Sequence, residues 1–480
     1  MKILVVTGKL AAEDVKKAVS GFDVDVFVAD VDIAAFVTPE IIKKINLSNY
    51  DLVLLPGNAK GNWKKLEEET GVKIRLGSIH AADLPKVLKN IDKIELSHSI
   101  PACRLLYSII AKETIDLVNS DKERILYPAY VGDVVIGEGR MKVIAEIVDA
   151  PELEKEELIS KIEYYLKSGA DIIDIGIPID CEVEKAIKSL KVALDCCNAV
   201  SIDTFDSKII KKAVEQGVHM IMSVSSENIE VLDFITSQAV VVVSRDVSEL
   251  MNIIKFARKK GKNNLIADCI LDPFPNLFSS LSRYAEYRSK DKSTPILMGV
   301  GNVTELCDVD SVGINAVLSF IAEEIGVNAL FTTEASYKTK GCIKELRTAS
   351  YMARAAKLRK SPPKDFGVNL LVLKEKIIQR EKVKASKLTY AKKSREFVRD
   401  PKGDFRIYVH GKDVVAVHDS GLGIIGDSES VVKEIIRRKL ISRLDHAAYL
   451  GRELKKAEIA AKLEKSYIQD EDLNFGIYKD

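Results

Sequence analysis

Between 142 and 333 the chain repeats one pattern eight times: a short apolar run, then a stretch whose apolar residues return every three or four positions. The runs are KVIAEIV (142–148), DIIDIG (171–176), AVSID (199–203), HMIMSV (219–224), AVVVVS (239–244), NLIAD (264–268), PILMGV (295–300) and NALFTT (328–333). Of the stretches between, 152–168 carries Leu158, Ile162, Tyr165 and Leu166 at helical spacing and stops at Gly169. Likewise 312–325 carries Ile314, Val317, Leu318 and Ile321 and stops at Gly326. Strands alternating with amphipathic helices mean βαβ units and a parallel sheet. Eight units fit a closed (β/α)₈ TIM barrel, whose chemistry sits at the C-terminal strand ends.

The pattern differs on either side. From 1 to 119 the runs KILVVT, VDVFVAD, DLVLLP, IRLGSI and KIELSH predict five strands of an open, doubly wound (Rossmann- or flavodoxin-like) α/β domain. The loop 56–62, PGNAKGN, follows its third strand; it matches neither dinucleotide nor P-loop fingerprints and reads as a tight turn. His80 and His98 read as surface or crevice histidines. The barrel domain spans 120–362 and opens with YVGDVVIGEG (130–139), a hairpin expected to cover the N-terminal mouth. Pro362-Pro363 and the charge-rich, partly helical 374–399 form a junction. The remaining chain to 480 is a small α+β module, with a hairpin through Gly411-Lys412 and a long helix at about 447–465.

Composition narrows the class. The 480 residues are 46% hydrophobic and 30% charged, and 72 basic residues nearly balance 71 acidic ones. That balance gives no bulk attraction to nucleic acid or to a membrane surface. No apolar run approaches the ~20 residues of a membrane span, and the amino terminus lacks a signal-peptide layout, so a cytoplasmic location is expected. Seven cysteines without a CxxC pair read as reduced, mostly buried thiols, and no metal ligand set is predicted.

The strand ends carry the chemistry. Asp174, Asp203, Asp268 and Asn302 each lie at or near the end of an apolar run. Carboxylates accept paired N–H bonds of the kind a 2-amino-pyrimidinone edge offers, and an amide both donates and accepts. The competing structural role is capping of the following helices.

In order and spacing, GADIIDIG, SIDTFDSKIIKKAVEQGVHMIMSVS, the acid of NLIAD and PILMGVGNVTEL resemble the pterin-binding family over roughly 141–360. That family contains the dihydropteroate synthases and the methyltetrahydrofolate:corrinoid methyltransferases. The resemblance implies a reduced pterin, of tetrahydromethanopterin or folate type, in the barrel mouth. It assigns pterin contacts to Asp174 and Asp203, to Asp268 with Asp272 competing, and to Asn302. Where the family carries an asparagine in strand four this chain has Met222, with Ser223 or Ser225 available to replace it. The synthase loops after strands one, seven and eight are also altered: 148–151 lacks Asn and Ser, 302–305 lacks a cation, and 332–335 lacks the Arg-x-His ending. A diphosphate leaving group needs positive charge. The anion-binding candidates are Arg245, Lys338 and Lys340, with Mg²⁺ as a further source. The stretch 444–454, LDHAAYLGREL, resembles part of one subunit of the archaeal tetrahydromethanopterin S-methyltransferase, with His446, Tyr449, Arg452 and Glu453 as a binding face or a packed helix start.

The function implied is a pterin-binding transferase of one-carbon carrier metabolism related to dihydropteroate synthase. Its alternatives are methyl transfer from a methyl-pterin to a corrinoid partner protein, with Asn302 and Glu305 as catalytic groups, and a non-enzymatic pterin carrier or scaffold. Family analogy implies a homodimer.

Overall fold

The computed structural model describes residues 1–375, 388–392 and 398–478. The helical pattern expected over 374–399 lies largely outside them. Two compact units result, Met1–Ile377 and Ile378–Asp480.

The first unit begins with β1 (Ile3–Thr7), β2 (Val24–Val28), β3 (Leu52–Leu55) and β4 (Lys73–Leu76), a parallel sheet in the order β2-β1-β3-β4. The expected fifth strand, KIELSH, does not form. It runs beside β4 with one backbone bond, Leu76 N–H to the Ser97 carbonyl at 3.0 Å, while the Arg75 guanidinium takes the Leu96 carbonyl. Ile94 and Leu96 still pack inward, so its apolar residues are satisfied without a ladder. The loop 56–62 is a structural turn: a Cβ on Gly57 would lie 2.6 Å from the Ile79 nitrogen, and Asn62 caps the helix Trp63–Thr70. His98 packs against Arg75 and Glu67.

Next, β5 (Arg124–Val131) and β6 (Val134–Glu138) form an antiparallel hairpin. The barrel follows: β7 (Lys142–Ile147), β8 (Ile172–Gly176), β9 (Val200–Asp203), β10 (Met220–Val224), β11 (Ala239–Val243), β12 (Leu265–Asp268), β13 (Ile296–Gly299) and β14 (Ala329–Thr333). Each matches its sequence run to within two residues at either end, and β14 pairs with β7 to close the cylinder. The helices Lys155–Ser168 and Ser311–Ile325 end on Gly169 and Gly326, both left-handed.

Strand alternation divides the barrel's apolar residues into two cores. One faces the surrounding helices, with Val143, Ala145, Ile173, Ile202 and Val242. The other fills the lumen, with Ile144, Ile172, Met220, Met222, Val241, Ile266 and Leu297. Ala129, Val131 and Ile136 of the hairpin join the lumen core, so the hairpin plugs the N-terminal mouth. Asn264 fastens it by exchanging two 2.8 Å bonds with the Tyr130 backbone.

In the second unit β15 (Phe405–His410), β16 (Asp413–His418) and β17 (Gly423–Gly426) form an antiparallel meander. The helices Ser428–Arg437 and Leu444–Leu463 bury Val431, Ile435, Leu450 and Leu454 against Ile407, Val414 and Ala416. The 444–454 residues have partners inside this unit: His446 meets Asp400 at 3.2 Å, the Tyr449 hydroxyl donates to Asp470, and buried Glu453 takes Lys456 and Tyr467. Arg452 is exposed, 3.7 Å from Glu453.

Candidate functional site

Two residues above the apolar lumen layer, the same strand faces turn acidic. Glu146 follows Ile144, Asp174 follows Ile172 and Asp268 follows Ile266, each by one alternation. Asp203 stands one alternation above Ser201, whose hydroxyl donates to Oδ1 of Asp174 at 2.5 Å. Glu146 and Asp174 are register partners on β7 and β8, and Gly176 pairs with Asp203. Glu146, Asp174 and Asp203 each bring one carboxylate oxygen to within 4.8 Å of the others. Sequence reading missed Glu146. The signal was a lone charge in KVIAEIV, placed by alternation on the face of Ile144.

The acids are not helix caps. Asp206 and Asp246 take that role, accepting backbone N–H bonds from Lys208 and Glu249 at 2.7 Å. The lumen acids are therefore held in low dielectric near like charges. Burial, then the charges of Asp203 and Glu305, pushes Glu146 up to about 8. Asp174 is 0% exposed; burial, then Asp203 and Glu146, holds it well above the ordinary carboxyl range. Its Oδ2 has no hydrogen-bond partner among the described residues. Burial raises Asp203 too, opposed by a hydrogen bond with Ser223. Ser223 reaches it through an irregularity: the β10–β11 register shifts between Ile221 and Val224, and Ser223 has a φ of 65°. Met222, where the resemblance leads one to expect an asparagine, is buried in the lumen core, leaving Ser223 as the polar group that strand four supplies.

Asp268 and Asp272 separate cleanly. Asp268 continues the lumen face; its Oδ1 accepts the buried Tyr284 hydroxyl at 2.5 Å and the Ile270 N–H at 2.8 Å, and burial pushes it up to about 6. Ile270 is left-handed, a strained conformation for a β-branched residue. Arg283 spans this turn, donating to the carbonyls of Cys269 and Ile270 and to Asp272 at 2.6 Å. Arg245 adds two bonds to Asp272, at 3.1 and 3.0 Å. Burial alone would raise Asp272, but the two guanidinium groups hold it below the usual range. The structure thus brings Asp268 to the lumen acids and commits Asp272 to two arginines.

The remaining candidates lie on the rim. Asn302 is exposed and ties two loops together, donating from Nδ2 to the Leu271 carbonyl at 2.9 Å. Half-buried Glu305 is raised by burial, with Lys338 opposing. Lys338 meets Asp308 at 3.1 Å, and Lys340 is exposed. The loops after β8, β9, β12 and β14 also present Ile179, Phe205, Phe274 and Tyr337, between 66% and 93% exposed.

Residues 149–260 match the family model described as pterin binding enzyme, and 399–470 match the PterinBD-DUF4346 model. An uncharacterized protein of Methanocaldococcus jannaschii is 39% identical over 523 aligned positions, spanning 98% of this chain and 99% of that one. The chain belongs to that protein's family. Its barrel is of the pterin-binding kind, and the PterinBD-DUF4346 match falls on the second unit. Solved structures similar to it include dihydropteroate synthase from Thermus thermophilus in complex with 4-aminobenzoate, at 18% identity and a TM-score of 0.37, covering 46% of this chain and 96% of that one. Another is the Yersinia pestis dihydropteroate synthase with a sulfonamide drug complex, at 15% identity and a TM-score of 0.40, covering 48% and 99%. No helix among the described residues is long and apolar enough to cross a membrane.

Proposed function

We propose that this protein is a pterin-binding transferase of one-carbon carrier metabolism, related to dihydropteroate synthase. The observation that carries the reading is the acidic layer of the lumen, the cluster Glu146, Asp174 and Asp203 with Asp268 on the same strand face, above an apolar floor. Apolar walls with a few convergent acceptors suit a flat, donor-rich heterocycle. Asp203 and Asp268 would take the 2-amino and ring N–H donors of a reduced pterin, and Ser223 would hold Asp203 in place. A protonated Glu146 would donate to a carbonyl or ring nitrogen, which an ionised carboxylate cannot do. The pterin's side chain would project toward Asn302, Glu305 and the rim.

Two reactions fit this pose. In the first, an arylamine displaces diphosphate from a pterin CH₂–diphosphate, with Lys338 and Lys340 of the loop after β14 as the cations for the leaving group. In the second, a methyl group leaves pterin N5 for a corrinoid carried by a partner protein, with Glu305 as proton donor. The exposed rim of Ile179, Phe205, Phe274 and Tyr337 favours the second, because apolar groups around a mouth suit a macromolecular partner. Native mass spectrometry of purified protein tests the shared core of both. A retained reduced pterin is the expected result, and its side chain would name the pathway. Turnover of a pterin CH₂–diphosphate with an arylamine, against demethylation of a methyl-pterin by a corrinoid protein, separates the two.

A further inference from the structure

We propose that Glu146, Asp174 and Asp203 form a binding site for one hard divalent cation, of the Mg²⁺ or Mn²⁺ kind. The inference goes beyond the pterin reading and does not depend on it. Three adjacent strands each deliver one carboxylate oxygen, and all three lie within 4.8 Å of one another. An ion holding oxygens at ~2.1 Å places its ligands ~3 to ~4.2 Å apart, so the three carboxylates would draw together on binding it. An all-oxygen set suits a hard cation over the softer metals that thiolates and imidazoles select.

A cluster of acids alone would not argue for a ligand; Asp174 supplies the independent observation. Its side chain is fully buried, Ser201 fixes Oδ1, and Oδ2 has no hydrogen-bond partner among the described residues. A buried, unpaired carboxylate oxygen is costly, and an ion or a proton must offset that cost. No ion pair joins a Lys or Arg to any of the three among the described residues. Arg245 and Arg283 are committed to Asp272. Gly176 contributes space: with a Cβ it would press to 2.5 Å on Oε1 of Glu146. The site thus has three carboxylate groups on rigid strands, one oxygen without a partner among the described residues, and room where a side chain would intrude.

The experiment uses the full chain, freed of metal by chelation and without added pterin. Mn²⁺ is titrated and followed by electron paramagnetic resonance, then competed with Mg²⁺. One Mn²⁺ per chain, displaced by Mg²⁺, is expected. Supporting residues of metal sites typically cost about 10–100-fold in affinity, so loss of a direct ligand in Glu146→Gln or Asp174→Asn should weaken Mn²⁺ by at least that range. Asp233→Asn, at a surface pair with Lys260, should bind as the unaltered protein does. Circular dichroism checks each variant; should Asp174→Asn not fold, Glu146→Gln, at a half-buried position, carries the test. Binding no tighter than about 1 mM, the weak end for oxygen-ligand sites, overturns the proposal. So does Mn²⁺ affinity unchanged in the folded ligand variants, which would mean that the three carboxylates only share protons. A reduced pterin titrated separately into metal-free protein reports on the pterin reading, so the two failures are distinguishable.

Discussion

A Cβ built on Gly176 lies 2.5 Å from Oε1 of Glu146. The missing side chain on β8 is therefore what leaves room for the carboxylate on β7. The nearest atom is the end of a flexible side chain and the backbone atom met, the Ile147 carbonyl oxygen, is 3.2 Å away, so Gly176→Ala should fold with a melting temperature within a few degrees of the original. It should nevertheless lose ligand or Mn²⁺ affinity, because Glu146 must rotate away. Calorimetric titration beside a thermal scan reads both quantities. Unchanged affinity would mean that Glu146 does not face the bound species.

Glu146 also sets a pH dependence. The fold raises its pKa from 4.5 to about 8, so the folded chain keeps a proton that the unfolded chain releases. This contribution to stability is fully present below about 4.5 and is lost as pH rises toward about 8. In metal-free protein, urea denaturation at about pH 5 and about pH 8.5 should show stability falling by ~1–4 kcal/mol, at ~1.4 kcal/mol per pKa unit and discounted for relaxation. Glu146→Gln should flatten that fall. An equal slope in the variant would place the titration elsewhere.

The Tyr284 hydroxyl is a donor that lowers Asp268, against the burial that pushes it up to about 6. Tyr284→Phe should raise Asp268 further and cost ~1–3 kcal/mol above neutral pH, where the buried carboxylate is ionised and short of a donor. Any binding that needs ionised Asp268 should move its acid limb to higher pH. The pH profile of pterin affinity is the readout, because a merely structural role for Tyr284 would leave its shape unchanged.

Gly132 turns the plug hairpin at a φ of 55°, and a Cβ there would come 1.6 Å from the Asn198 carbonyl oxygen. This is a backbone clash in a left-handed turn, so relief requires lifting the hairpin from the lumen core of Ala129, Val131 and Ile136. Gly132→Ala should destabilise the first unit by more than ~2 kcal/mol, at the large end for single substitutions. Thermal denaturation checks this, and near-original stability would mean that the hairpin is not a plug.

The strands were legible because β-alternation and helical spacing are local signals; the eight runs need no knowledge of their neighbours. The lumen positions of Asp174, Asp203 and Asp268 followed from the same alternation. Glu146 was equally available by that rule, yet a single acid in an apolar run reads as an edge charge until its partners are known. Ser223 was legible only as a substitute for the asparagine that Met222 replaces, because the bulge that turns it toward Asp203 depends on pairing with β11. The choice between Asp268 and Asp272 rests on Arg283, which enters from a helix after the turn. KIELSH has the composition of a strand, and only its surroundings leave it without a ladder.

The central claim is that the acidic layer holds a reduced pterin. Isothermal titration of a reduced pterin into the full-length protein, repeated with Asp203→Asn, tests it most directly. One site per chain in the unaltered protein, weakened by about tenfold or more when one charge-assisted contact of ~1.5–3 kcal/mol is lost, is the predicted result. No heat of binding in the unaltered protein, or the same affinity in Asp203→Asn, would contradict it.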